Sequence, residues 1–159
     1  MNDRRTGSAD DHHLQKTSNP VALWDPGTQI SPDIWRKIGL DPATASSTLG
    51  GIAPPRGFAL YGGHCTTRMY SITVWSQIYT VEDFRRKEGI PFSPITIAGR
   101  PAYHYAPAGD TTGDHHTIIF PTPRGSCSIQ IIRQSPRAPA TPYTKALNIA
   151  TVLGPLFPK

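Results

Sequence analysis

The sequence lacks any long apolar stretch, since no run of hydrophobic residues approaches the roughly 20 that a membrane-spanning helix needs. It also opens on a polar segment, from Met1 to Pro20, which has none of the features of a secretory signal peptide. Two interpretations follow from these absences. The protein is cytoplasmic, or a targeting segment was removed before this chain was made.

Charge is also scarce, because only 17% of the residues are charged and the formal net charge is +5. The densest basic group is Arg85, Arg86 and Lys87, and the other basic residues are scattered. Nucleic-acid-binding proteins usually carry a basic stripe with aromatic residues between the charges. We therefore expect no nucleic-acid partner. The 11 acidic residues likewise form no pair with the spacing of two catalytic carboxylates in an apolar context.

The motifs of nucleotide binding and of serine-dependent acyl transfer are absent from the sequence. The polar residues that come closest to a metal site are His104, Asp114, His115 and His116, which are zinc ligands by type. Adjacent residues of a strand point to opposite faces, so His115 and His116 cannot easily share one ion. We interpret these residues as exposed loop and strand ends and predict no metal site.

A second candidate for chemistry is the pair His64 and Cys65, which could supply an imidazole and a thiol for nucleophilic catalysis. Residues adjacent in sequence rarely reach the required geometry, and no Asn or Asp stands where it would orient the imidazole. We therefore predict no catalytic residue and no cofactor, and a protein that is not an enzyme.

Proline and glycine are abundant, at 17 and 14 residues, and they divide the chain into short elements. Residues 1–20 hold Leu14 as their only large aliphatic residue and have no aromatic one. Such a segment cannot bury enough apolar area to offset its ordering entropy. The sequence predicts a flexible polar tail over residues 1–20 and a single domain over residues 21–159.

Helix signals stand at three places, each with a hydroxyl residue suited to the N-cap position. These residues are Ser31, Thr80 and Thr141. Proline follows Ser31 and Thr141 at the first helical position, and Asp83 completes a capping-box pattern with Thr80. We predict short helices after each of the three.

Alternating apolar residues predict a strand over residues 66–76, and two hairpins join 95–98 to 102–105 and 117–120 to 128–132. Strands and helices do not alternate along the chain, so a parallel nucleotide-binding sheet is not expected. The fold class predicted from the residues is α+β, with an antiparallel sheet flanked by helices.

Several short motifs follow one another along the chain in a specific order and spacing. They are Trp24-Asp25-Pro26-Gly27, Gly39-Leu40-Asp41-Pro42, Cys65-Thr66-Thr67-Arg68, Thr80-Val81-Glu82-Asp83, Ile97-Ala98-Gly99-Arg100-Pro101 and Ile118-Ile119-Phe120-Pro121-Thr122. Over residues 21–158 this order resembles a family of small secreted proteins and lipoproteins of actinobacteria, mycobacteria and nocardiae among them. That family carries a domain of unknown function and usually opens on Asp-Pro-Cys.

The resemblance implies a PsbP-like α/β sandwich and a protein of the cell envelope, either secreted or attached to the membrane through a lipid anchor. In this sequence Gly27 stands where the family has its first cysteine, so the early disulfide of the family cannot form. The cytoplasm is the alternative compartment, because no signal peptide is present.

The resemblance also bears on Cys65 and Cys127, the only two cysteines. An even number of cysteines in an exported family favours pairing, so we expect a disulfide between them. The alternative is two buried free thiols in a cytoplasmic protein.

Three functions are compatible with these observations. The first is a non-enzymatic binding module of the cell envelope for a protein partner or for a lipid or glycan ligand, which requires a groove with a few polar groups. The second is an immunity-type protein that neutralises a partner by covering its surface. The third is a hydrolase or metal enzyme built on His104, Asp114 and His115 or His116. Aromatic residues either form the core or line such a groove: Trp24, Trp35, Tyr61, Tyr70, Trp75, Tyr103, Tyr105 and Phe120.

Overall fold

The structure is a computed structural model that describes residues 23–159. The predicted polar tail over residues 1–20 lies outside the described residues. Within the described range the chain forms one antiparallel sheet of six strands with helices packed on it. The predicted α+β class, with an antiparallel sheet flanked by helices, is confirmed.

Six strands lie in the spatial order β1-β2-β6-β5-β4-β3, and every neighbouring pair is antiparallel. Strands β1 and β3 therefore form the two edges, and β6 and β5 lie at the centre. The strands are β1 Phe58–His64, β2 Tyr70–Gln77, β3 Ser93–Ile97, β4 Arg100–Tyr105, β5 His115–Thr122 and β6 Gly125–Arg133.

The helices begin where the sequence signals stand. Helix α1 spans Pro26–Gln29, α2 Pro32–Lys37, α3 Val81–Glu88 and α4 Pro142–Leu153. The side chains of Ser31, Thr80 and Thr141 each accept a hydrogen bond from a backbone N–H in the first turn of the helix that follows. At Thr80 the side chain of Asp83 also accepts from the Thr80 backbone N–H, which completes the predicted capping box. Helix α1 is an exception, because none of the three predicted helix starts precedes it.

The sequence analysis does not predict strand β1, because the strand contains Gly62 and Gly63. The structure nevertheless requires glycine at both positions. A Cβ atom at Gly62 would lie 2.3 Å from the carbonyl oxygen of Ile72, and one at Gly63 would lie 2.7 Å from the carbonyl oxygen of Thr44. No other residue fits these positions without a backbone shift. Glycine nevertheless interrupts the alternation of side chains by which a strand is recognised.

One face of the sheet, which we call the core face, is apolar and covered by helices. The fully buried side chains of Ile72, Val74, Ile118, Ile129 and Ile131 point to this face. Helix α4 packs over them through its own buried stripe, formed by Ala146, Ile149, Ala150 and Leu153. Near the β1 edge of the sheet, the centre of the Trp35 ring of α2 lies 4.9 Å from the centre of the Tyr61 ring of β1. This face holds the main core of the domain.

The opposite face, which we call the groove face, is covered only in part. Helix α3 lies over its β5–β4 side, where Val81, Phe92 and Ile119 form a small separate apolar cluster with Tyr103 and Tyr105 at its margin. The guanidinium of Arg85, a residue of α3, lies 5.4 Å from the centre of the Tyr103 ring. The rest of the groove face carries polar side chains together with Phe58, Leu60 and Trp75.

The expected disulfide between Cys65 and Cys127 is wrong, because both cysteines are unpaired and buried. The backbone N–H of Cys65 bonds to Tyr70, and Tyr70 lies opposite Arg133 of β6. Cys127 lies at the other end of β6, so the two cysteines are separated by about 20 Å along the strand direction. A disulfide requires Cα atoms within about 7 Å. The hypothesis of a secreted protein or lipoprotein therefore receives no support from a disulfide.

No helix within the described residues is both long enough and apolar enough to span a bilayer.

Candidate functional site

Buried polar side chains are concentrated on the groove face of the sheet. Five polar residues of the described chain are buried, namely Ser76, Gln77, Thr117, Ser126 and Ser128. Pairing across β2, β6 and β5 places all of them except Ser76 on the groove face. Burying a polar group costs free energy, so polar side chains are uncommon at buried positions. Their concentration on one face indicates that a requirement other than packing determines which residues stand there.

These buried groups are joined by hydrogen bonds. The Nε2 group of Gln77 donates to Oγ of Ser126 at 3.0 Å and to Oγ of Ser128 at 3.4 Å. The hydroxyl of Ser126 donates to the carbonyl oxygen of Tyr79 at 2.7 Å. The side chains are thereby held in place by one another and by the start of the segment that leads into α3.

A groove of about 250 Å³ lies between α3 and three of these polar residues, Gln77, Thr117 and Ser128. Its floor is formed by Thr117, Ser128 and Gln130, of which the first two are only 5% and 7% exposed. Its walls and rim are mostly aromatic or come from α3, and comprise Phe58, Trp75, Phe84, Lys87, Glu88, Tyr105 and Pro107. Aromatic walls over a small number of convergent polar groups are typical of small-molecule sites.

The aromatic walls are fixed by specific contacts. The indole Nε1 of Trp75 donates a hydrogen bond to Oε1 of Gln130 at 3.2 Å. The Phe58 ring lies edge-on to the Trp75 ring with centroids 5.8 Å apart. Across the groove, Tyr105 stacks on Phe92 at 3.8 Å with an interplanar angle of 2°. These rings are therefore positioned by the sheet before any ligand arrives.

The hydroxyl of Tyr105 lies in a desolvated environment. Burial, with a smaller contribution from the charge of Glu88, raises the pKa of Tyr105 to about 12, although a hydrogen bond with the Thr117 side chain opposes the shift. The phenol is therefore neutral at physiological pH and provides a hydrogen-bonding group in the wall of the groove.

A second cavity of about 220 Å³ adjoins the groove at α3. The two cavities share Phe58, Phe84 and Lys87, and the second adds Tyr79 and Asp83. Each cavity alone is smaller than the roughly 300 Å³ at which small-molecule sites begin, so the groove suits a small ligand or one part of a larger ligand.

A larger cavity of about 480 Å³ lies beside the first helix and the β5–β6 turn. It is lined mainly by turns and chain ends, among them Asp25, Thr122, Arg124 and Pro158, and Trp24 provides its only aromatic ring. Sites that hold a ligand in one geometry are better supported by rigid elements than by loops. The groove under α3 is therefore the stronger candidate in spite of its smaller volume.

The structure brings together two of the four residues that the sequence analysis considered as possible metal ligands. Nδ1 of His104 lies 3.0 Å from Nε2 of His116 on the core face, and Tyr143 of α4 stacks on the His104 ring at 4.3 Å. Burial, followed by the proximity of His104, lowers the pKa of His116 to about 4, and burial lowers that of His104. The pair is neutral at physiological pH and shares one proton in a hydrogen bond.

The other two residues do not join this pair. Oδ1 of Asp114 accepts from Nε of Arg133 at 3.2 Å, and His115 points to the groove face because it alternates with His116 along β5. Within residues 23–159 no group of three or more ligand-type side chains could hold a metal ion. The cleft that a hydrolase or metal enzyme would need around His104, Asp114 and one neighbouring histidine is not formed by this arrangement.

The candidate thiol and imidazole also diverge. The His64 ring hydrogen-bonds to Oε1 of Gln134 at 2.7 Å, whereas Cys65 is 2% exposed within the core. Burial raises the pKa of the Cys65 thiol, despite the opposing charge of Lys145. The protonated thiol is a poor nucleophile.

The groove was only partly visible to sequence reasoning. Of the aromatic residues proposed for a groove, Trp75 and Tyr105 line it, whereas Trp35, Tyr61, Tyr70 and Phe120 belong to the main core. The floor was missed. Its signal was the alternation of Ser126, Ser128 and Gln130 with apolar residues along β6, which is easily interpreted as an ordinary solvent-facing strand.

Comparisons with family models, with curated proteins and with solved structures found no match to this chain.

Proposed function

We propose that this protein is a non-catalytic binding module that holds a small amphipathic ligand in the groove under α3. The observation that carries the proposal is the set of buried polar side chains on the groove face, Gln77, Thr117, Ser126 and Ser128. The core face is formed by the same strands, is covered by α4, and is packed with aliphatic residues.

A purely structural role accounts poorly for this contrast. Apolar residues of similar size would remove the desolvation cost of the polar groups and would add packing energy beneath α3. Proteins commonly retain such suboptimal residues where binding requires them. The aromatic walls supply apolar contact and the floor supplies orientation, which is the division of roles found in ligand sites.

The polar groups that line the groove include no serine, threonine or cysteine beside a histidine, and its charged groups are Lys87 and Glu88. This composition supports binding in preference to hydrolysis. The similarity to the actinobacterial family and the compartment of the protein stay predictions, and the proposal does not depend on either.

The experiment that tests the proposal is a fragment screen read by thermal shift and by two-dimensional NMR, with the full chain and with a variant whose groove is filled. Gln130→Trp places a large ring on the floor, and Thr151→Trp adds the same ring to the exposed side of α4. We expect fragments to perturb groove resonances in the wild type and in Thr151→Trp, but not in Gln130→Trp. Fragments that bind all three proteins equally, or a screen without hits, would contradict the proposal.

A further inference from the structure

The charges around the groove nearly cancel. Lys87 is exposed at the rim and Glu88 lies next to it in the chain. Asp83, one helical turn before Lys87, forms an ion pair with Arg86 at 2.8 Å, so its charge is also balanced. The carboxylate of Glu88 is already engaged, since Oε1 accepts from the backbone N–H of Ala108 at 2.8 Å. Such a rim offers no field of one sign with which to attract an ion, so a neutral ligand fits it best.

The hydrogen-bonding groups left over in the groove are both donors and acceptors. Oε1 of Gln130 accepts from Trp75, and among the described residues its Nε2 group has no partner. The hydroxyl of Ser128 accepts weakly from Gln77 and keeps its own proton to donate. Among residues 23–159, the second carboxylate oxygen of Glu88 has no hydrogen-bond partner and can accept one. Hydroxyl groups, which donate and accept at once, satisfy such a mixed set best.

The aromatic rings provide flat apolar surfaces beside these groups. One face of Tyr105 is covered by Phe92, so its other face and its edge are left to the groove. Trp75 is held by its hydrogen bond to the floor and is partly exposed. Aromatic faces carry partial negative charge and pack well against slightly positive C–H groups that point to one side of a saturated ring.

We propose that the ligand of the groove is a neutral saccharide, with a sugar ring packed on Trp75 and its hydroxyls bound to Ser128 and Gln130. This inference rests on the proposed function and specifies its ligand class. An acyl chain fits less well, because it would cover the polar floor and leave buried groups without hydrogen bonds, which is costly. A charged sugar gains nothing from the balanced rim.

The test is a glycan array that carries neutral and charged oligosaccharides, probed with the full chain and followed by calorimetric titration of the best neutral oligosaccharide. Trp75→Ala removes the aromatic platform and Ser128→Ala removes a hydroxyl. Trp24→Phe is the control, since Trp24 lines a different cavity. Sodium dodecanoate serves as the acyl-chain probe.

We expect a neutral oligosaccharide to bind saturably, to bind at least about tenfold more weakly to Trp75→Ala, and to be unaffected by Trp24→Phe. The saccharide inference is overturned if no neutral glycan binds, or if binding is insensitive to Trp75→Ala. Fragments or dodecanoate that still bind in the groove would then leave the proposed function standing, whereas a groove that binds nothing at all would remove both.

Discussion

The indole of Trp75 and the amide of Gln130 are joined by a hydrogen bond of 3.2 Å between Nε1 and Oε1. These residues lie on neighbouring strands and are diagonal to one another, because Gln130 lies opposite Thr73 in the sheet. The bond fixes an aromatic wall of the groove to its polar floor. It also uses one of the two acceptor positions of the Gln130 carbonyl oxygen, and the NH₂ group of Gln130 remains available as a donor. Trp75 and Gln130 thereby contribute to the shape of the groove, and Gln130 offers a ligand a hydrogen-bond donor.

The first prediction concerns this bond. Gln130→Leu should leave the indole of Trp75 without its partner and free to change rotamer, and ligand affinity should fall about threefold to tenfold, the equivalent of one neutral hydrogen bond. Gln134→Leu is a matched control, because it removes a glutamine that hydrogen-bonds His64 away from the groove. Titration of a groove-binding fragment measures the effect. Equal affinities for the two variants would show that Gln130 does not act on the ligand.

A second prediction separates binding from stability. The double variant Gln77→Met, Ser128→Ala removes both partners of a buried polar contact, and Ser126 keeps its bond to the carbonyl of Tyr79. The free energy of unfolding should stay the same or rise, because no buried group is left without a partner, while ligand binding weakens. Urea denaturation and fragment titration are measured on the same samples. A loss of stability above about 2 kcal/mol would indicate that the polar floor is structural.

The local parts of this fold were predictable and the groove was not, for a physical reason. The helix starts at Ser31, Thr80 and Thr141 depend on residues within one turn, so a short stretch of sequence contains the whole interaction. The floor depends on Gln77 reaching Ser128 across two strands that are far apart in sequence. Register between distant strands is not encoded in either strand alone.

The cysteines illustrate the same limit. Their number and their positions at strand ends suggested pairing, yet the order β2-β6 and its register place them at opposite ends of the sheet. Only the tertiary arrangement decides such a question, since a disulfide depends on a distance of a few ångströms.

The third prediction is that both thiols titrate as free. Unfolded, unreduced protein should react with two equivalents of a thiol reagent, and the melting temperature should be the same with and without reductant. In the native state Cys127 should react slowly, because burial raises its pKa to about 12 despite a hydrogen bond from Ser76. Cys127→Ala should lower the count of thiols to one. An unreduced sample without free thiols would contradict the structure directly.

The fourth prediction concerns acid stability and the pair His104 and His116. The pKa of His116 is lowered from 6.5 to about 4 in the folded protein, so between these values the unfolded chain binds more protons than the folded one. Stability should therefore fall as the pH drops from about 6.5 towards 4, by about 1–2 kcal/mol after allowance for partial exposure.

The variant His116→Gln should flatten this part of the pH profile, because glutamine does not titrate. His115→Gln is the matched control, since its side chain lies on the other face of the same strand. Urea denaturation between pH 4 and 7 measures the difference. A profile for His116→Gln that still falls as steeply as that of the wild type would refute the assignment.

The most direct test of the groove is the ¹⁹F NMR spectrum of the protein labelled with 5-fluorotryptophan. The chain has three tryptophans, and they report on three places: Trp75 on the groove, Trp24 on the larger cavity and Trp35 on the core. Single Trp→Phe variants assign the three resonances. With a saturating groove ligand from the fragment or glycan screen, the account predicts that the Trp75 resonance shifts while those of Trp24 and Trp35 stay in place. A shift of Trp24 with Trp75 unmoved would place the ligand in the other cavity and contradict the account.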